Sequence, residues 1–183
     1  MKIGVFLARF QPIHKSHELI IHKALSENDK VYIFVGSADK SRQERNPFTV
    51  KERQKMIEEI FPSAIFKDRL IVVPLNDYSH ENDIDNNKAW GEYLYKNIQD
   101  TIKQPSFSLY YSDKPEIMLD WFTEEQMKNI NFCFLDRTKM FKNLSATKIR
   151  RALINDDNDY LTENLPCEIY RTKDKLKQIL LTI

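Results

Sequence analysis

The sequence predicts a doubly wound α/β fold, and three observations carry that expectation. Five short apolar runs, rich in β-branched and aromatic residues and bounded by polar turns, fall at residues 2–7, 30–36, 70–74, 107–111 and 131–135. Longer stretches with helical spacing fall at 17–25, 49–61, 87–102, 115–121, 147–154 and 169–181. Strands that alternate with helices argue for a parallel sheet covered on both faces.

The elements follow from the residues in order. The run Ile3 to Leu7 is apolar throughout, and Pro12 cannot continue a ladder, so the chain turns there. Ser16 is the expected N-cap of the first helix, which pairs Ile20 with Ala24 and Ile21 with Leu25 at i,i+4. The second strand closes at Gly36. Asn46-Pro47 is then a turn, and Thr49 with Glu52 forms a capping box for a helix that gathers Met56, Ile57, Ile60 and Phe61 on one face. After the third strand come Asn76 and Asp77, and Trp90 stands at the start of the third long helix. Ser145 is a second expected N-cap, with basic residues behind it. From Asp156 onward the chain reads as one last packing helix without chemistry.

Composition bounds the function. At 183 residues, with 42% hydrophobic and 30% charged residues, residues 1–183 read as a single ordinary globular domain. A net charge of +1 supplies no general attraction to nucleic acid or membranes, so an anion site has to be built locally. Cys133 and Cys167 lie far apart without metal-ligand spacing, which suits a reducing compartment. The apolar stretch at 3–7 is too short for a signal peptide or a membrane span. Cytoplasmic location is the expectation. Three glycines argue against a fold built on glycine-rich loops.

In such sheets ligands bind beyond the carboxyl ends of the strands, at helix N-termini. The first strand ends in Ala8-Arg9-Phe10-Gln11-Pro12-Ile13-His14-Lys15-Ser16-His17. Two imidazoles, an arginine and a lysine so close to a helix start make a candidate phosphate cradle. A solvated βα loop is the plainer alternative. A metal site on His14 and His17 is disfavoured, because no third ligand lies nearby and His22 points around the helix from His17.

This segment resembles the signature of the HxGH nucleotidyltransferase superfamily in the form GRFQPxHxGH, with Ala8 for the first glycine and Ser16 for the glycine between the histidines. Ser41 to Arg53, containing Asn46-Pro47-Phe48-Thr49, is similar to the NPFTxxER motif of archaeal-type nicotinamide mononucleotide (NMN) adenylyltransferases. Leu144 to Arg151 is similar to their ISGTxIR motif. The resemblance implies the Rossmann-like sheet of the nucleotidyltransferase fold and the conversion of ATP and NMN to NAD and pyrophosphate. It implies catalytic roles for His14, His17 and Arg9, with ATP also held by Ala8, Phe10, Ser145, Thr147 and Arg150. NMN would meet Arg45, Asn46, Asp77 and Trp90, the tryptophan stacking on the nicotinamide ring. Mg²⁺ would be bound mainly through the ATP phosphates, and no side-chain metal cage is implied. Asp113 and Lys114 stand where the family commonly has Gly-Asn, and His80 receives no role.

Other readings remain open within and beyond the superfamily. Pantetheine-phosphate adenylyltransferases and cytidylyltransferases share the HxGH core, and a non-catalytic NAD- or ATP-binding regulator would keep the fold. Some bacterial relatives carry a Nudix hydrolase domain after an adenylyltransferase of this type; these 183 residues contain no Nudix-like segment. Family members often assemble, which extends to this chain the expectation of a homo-oligomer. No nucleic-acid partner is expected.

Overall fold

The computed structural model describes residues 1–78, 87–112, 120–141 and 144–183. His80, Asp113 and Lys114 lie outside these residues, as does most of the helix expected at 115–121; its last residue, Trp121, stands in a turn.

Five strands, β1 (Ile3–Ala8), β2 (Lys30–Val35), β3 (Leu70–Pro74), β4 (Phe107–Tyr111) and β5 (Ile130–Phe134), form one sheet in the order β3-β2-β1-β4-β5. Every neighbouring pair is parallel, with Val5 of β1 facing Tyr32 on one side and Leu109 on the other. The central strand is buried on both faces, which explains why Ile3 to Leu7 reads as a continuous apolar run rather than an alternating one.

Two cores flank the sheet. On one face lie helices α1 (Lys15–Glu27) and α2 (Val50–Ile60) with the C-terminal helices, burying Ile20, Ile21, Met56, Ile57, Ile149 and Leu161. On the other face α4 (Asn87–Ile102) buries Leu94, Ile98 and Ile102 together with Phe122. The sheet is therefore doubly wound, as expected. Between α2 and α4 comes the short α3 (Ser63–Phe66), and α5 (Glu124–Met127) and α6 (Arg137–Met140) flank β5.

Two expectations need correction. Ser16 is not the N-cap: α1 starts at Lys15, His14 occupies the cap position, and the His14 carbonyl accepts from the amides of His17 and Glu18 at 2.8 and 3.1 Å. Ser16 is buried inside the first turn, where its smallness rather than its hydroxyl matters. The tail is not one helix. It is α7 (Ala146–Asn155), α8 (Asn158–Asn164), α9 (Cys167–Tyr170) and α10 (Lys173–Leu180). Asp156 enters the left-handed region at φ 55°, and Pro166 has no amide hydrogen to donate, so the chain turns at each point. A buried contact anchors α1 at its far end: the Tyr110 hydroxyl donates to Glu27 Oε2 at 2.7 Å and accepts from Asn28 Nδ2 at 2.8 Å.

The strand order reverses between β1 and β4, and the carboxyl ends of those strands open on one crevice.

Candidate active site

A cleft of about 580 Å³ occupies that crevice, a size suited to a nucleotide rather than a macromolecule. Its floor is the end of β1, from Phe6 to Gln11. Its walls come from Gly36 and Ser37 after β2, Tyr111 and Ser112 after β4, and the start of α7. Segments far apart in the chain meet here because parallel strands end on the same edge.

His14 and His17 are stacked in this cleft, ring centroids 3.7 Å apart and planes 13° from parallel. The sequence explains the pairing. His14 caps α1 while His17 stands in its first turn, and a helix rising 1.5 Å per residue brings the rings side by side. Phe10, at φ 52°, packs its buried ring 5.7 Å from Phe6 and 4.8 Å from His17. Phe10, expected among the ATP contacts, thus lines the cleft while supporting the second imidazole from behind. Lys15 turns away, its ammonium donating to the Thr162 carbonyl at 3.0 Å, and is no part of the cradle.

Three arginines converge on the same space. Arg9, Arg45 and Arg150 all line the cleft. Burial, then Arg9, then Arg45 pull the Arg150 guanidinium below its usual range, with Glu44 opposing. Mutual repulsion of that kind marks a site shaped for a polyanion. Arg150 Nη1 donates to the Gln11 carbonyl at 2.8 Å, and Nη2 donates to Thr147 Oγ1 at 3.3 Å. Ser145 caps α7, its Oγ accepting from the Lys148 amide at 3.3 Å, which leaves the first turn facing the cleft. Ala8, Ser145 and Thr147 all line it.

The cleft also carries an aromatic cluster. Trp90 and Trp121 stand edge to face, centroids 6.1 Å apart, and Tyr93 lies 5.8 Å from Trp90. Gly91 permits this: a Cβ there would lie 1.7 Å from the Trp121 carbonyl oxygen. Among the described residues that line the cleft, Asp77 is the only carboxylate. Burial works to raise its pKa, but Lys40 at 2.5 Å and the Ser37 hydroxyl at 2.8 Å outweigh burial and hold it below the usual range.

Asn46 departs from expectation. It is buried in the loop behind Arg45 and is not among the lining residues; its backbone bridges to Gln43, and among the described residues its Oδ1 has no hydrogen-bond partner. Two residues that local reading assigned no role prove central to the frame. Arg53, fully buried, donates to the carbonyls of Arg9, Gly36 and Ser37 at 2.9, 2.6 and 3.0 Å, joining the ends of β1 and β2. Burial, helped by Arg9, brings its pKa down to about 10, against the pull of Asp77 and Asp39. Trp121 is the other. No local signal marks it, since its place depends on α4 packing against a turn thirty residues on.

A parallel sheet whose switch-point cleft carries stacked imidazoles and converging arginines defines a nucleotidyltransferase. The cytidylyltransferase-like family model matches residues 5–152. The nicotinamide-nucleotide adenylyltransferase of Pyrococcus abyssi is 33% identical over 153 residues, which cover 82% of this chain and 72% of that protein. The chain belongs to the cytidylyltransferase-like family and, within it, groups with the nicotinamide-nucleotide adenylyltransferases.

Among solved structures, a bifunctional NMN adenylyltransferase/ADP-ribose pyrophosphatase from Francisella tularensis matches with a TM-score of 0.72 at 24% identity, which speaks for the fold. The same bifunctional enzyme in complex with AMP and a manganese ion matches with a TM-score of 0.67 at 25% identity. In both, 99% of this chain is covered but only 52% of the other, so the chain spans about half the length of the bifunctional protein. Among the described residues no helix is long and apolar enough to cross a membrane.

Proposed function

We propose that the protein transfers the adenylyl group of ATP to NMN, releasing pyrophosphate and forming NAD. The observation that carries this reading is the meeting of two groups of side chains in one cleft. His14, His17, Arg9, Arg45 and Arg150 line it, and so do Trp90 and Trp121. The cationic group suits a triphosphate, and an aromatic pair suits a flat pyridinium ring. The names of the archaeal relatives support the same acceptor.

An oxygen of the acceptor's phosphate attacks the α-phosphorus of ATP in line. The bond from that phosphorus to the α–β bridging oxygen breaks, and pyrophosphate leaves with the electron pair. The attacking oxygen is already ionised, so no side chain has to remove a proton. Positioning and charge neutralisation are what remain for the protein to supply. His14 and His17 donate to the phosphate oxygens on which charge grows. Arg9 and Arg150 clamp the leaving phosphates, with Thr147 and the first turn of α7 adding donors. Arg45 meets the acceptor phosphate, and Trp90, with Asp77 nearby, receives the ring.

Among the described residues, no group of three His, Cys, Asp or Glu side chains could hold a metal ion. The donor set is cationic, so Mg²⁺ fits as part of the nucleotide substrate, held by phosphate oxygens and water.

The test is calorimetric titration with ATP and NMN, followed by detection of NAD and pyrophosphate, with phosphopantetheine, glycerol 3-phosphate and CTP as comparisons. His17→Ala should lower kcat by about 10² or more, the effect of losing one preorganised donor. A folded His17→Ala protein that turns over within a few-fold of the parent removes that role.

A further inference from the structure

Gln11 is almost wholly buried, 2% exposed, and its side chain does something unusual for a loop glutamine. Its Nε2 donates to the Phe48 carbonyl at 3.0 Å, and its Oε1 accepts from the Phe48 amide at 2.9 Å. The carboxamide thus pairs with a main-chain residue 37 positions away as a neighbouring strand would. Both polar atoms are satisfied, and Phe48 itself is locked in the core. The main-chain carbonyl of the same Gln11 accepts from Arg150. One residue of the β1 loop therefore contacts the segment before α2 through its side chain and the start of α7 through its backbone.

Arg45 lies three residues before Phe48. A Gln43–Asn46 bridge closes the turn that carries Arg45, and Arg42, paired with Glu52 at 2.7 Å, holds its outer side by donating to the Pro47 carbonyl. The inner side is held by Gln11.

We infer that Gln11 is the positioning residue for Arg45, setting the 43–48 turn so that this guanidinium enters the cleft beside Arg9 and Arg150. This rests on the proposed phosphate role of Arg45. The Gln11 side chain reaches the segment that carries Arg45, whereas Arg150 is held by the Gln11 backbone, which a substitution leaves in place.

That asymmetry gives the test. Gln11→Ala, Arg45→Ala, Arg150→Ala and the doubles Gln11→Ala/Arg45→Ala and Gln11→Ala/Arg150→Ala are compared by kcat/KM for NAD formation, and by calorimetric affinity for NMN and for inorganic phosphate. Gln11→Ala should lower kcat/KM about tenfold, as expected when a charged contact is misplaced by an ångström or so. In the Arg45→Ala background the same change should cost less than twofold. In the Arg150→Ala background it should keep most of its effect, since the Gln11 carboxamide and the Arg150 guanidinium share no hydrogen bond.

A purely structural role for Gln11 would lower all three backgrounds equally, and that result overturns the inference. So does a Gln11→Ala enzyme as active as the parent. Gln11→Glu provides a second variant in case the alanine protein does not fold. It retains the acceptor for the Phe48 amide but sets a carboxylate oxygen against the Phe48 carbonyl, and it should show the same dependence on Arg45. A parent protein that makes no NAD overturns the proposed reaction instead; the cycle is then decided on inorganic phosphate affinity alone.

Discussion

Gly91→Ala tests the aromatic cluster of the cleft without touching a residue assigned to substrate. An added Cβ would lie 1.7 Å from the Trp121 carbonyl oxygen, 2.4 Å from its carbon and 2.7 Å from its Cα. All three are backbone atoms, so no rotamer change relieves the clash. To reach 3.0 Å, the closest approach real Cβ atoms tolerate, α4 and the Trp121 turn have to part by about 1.3 Å. Trp90 is the neighbouring residue on α4, so the Trp90–Trp121 pair has to open with them.

Overpacking of this kind costs about 1 to 3 kcal/mol. Each kcal/mol lowers Tm by about 2 to 4 °C for a chain of this size. Loss of one aromatic face against the acceptor ring is worth about 1 kcal/mol, or about fivefold in KM. Gly91→Ala should therefore raise KM for NMN about fivefold and lower Tm, with KM for ATP within twofold of the parent. Steady-state kinetics with each substrate varied in turn, beside a thermal melt, checks this. An unchanged Tm with unchanged KM for NMN would refute the close packing of α4 on the Trp121 turn. Equal rises in both KM values would refute the assignment of that cluster to the acceptor.

Two further predictions concern the frame. Arg53→Met leaves the carbonyls of Arg9, Gly36 and Ser37 without their side-chain donor, and should lower stability by about 3 kcal/mol or more in a denaturant titration; a loss below about 1 kcal/mol would show that other donors replace it. Glu52 has its carboxyl held below the ordinary 4.5, chiefly by the hydrogen bond from Arg42, with burial opposing and Thr49 assisting. A depressed folded pKa stabilises the protein fully above pH 4.5, and the contribution fades as pH falls through the folded value. Glu52→Gln should lower stability by about 1 kcal/mol at pH 7 and flatten the decline between pH 5 and 3. A Glu52→Gln melt series parallel to that of the parent would contradict it.

What could be read in the sequence was what neighbours in the chain decide. The Thr49–Glu52 capping box and the Ser145 cap form as expected, because each needs only residues three apart. Strand positions held to within a residue or so, since burial on both faces leaves a plain apolar signature. The pair of imidazoles was legible because a helix start fixes their spacing.

What remained hidden depends on partners far along the chain. Nothing near Gln11 announces a bond to Phe48, and nothing near Arg53 announces three carbonyls from two other loops. Ser16 is not the cap because the His14 carbonyl, two residues earlier, already begins the helix. The tail failed because short amphipathic turns satisfy a helical pattern that Asp156 and Pro166 interrupt.

The hydrogen bond from Arg150 to the Gln11 carbonyl spans 139 positions. A contact so distant closes a very large loop, and its entropy has to be met before any reward from the site itself. A fragment of this chain that stops short of residue 144 would keep both imidazoles and still lack one wall of the pocket. Competence to grip a nucleotide should therefore arrive late in refolding, after the bulk of the helical signal has returned, so the two halves of the polypeptide become functional only together.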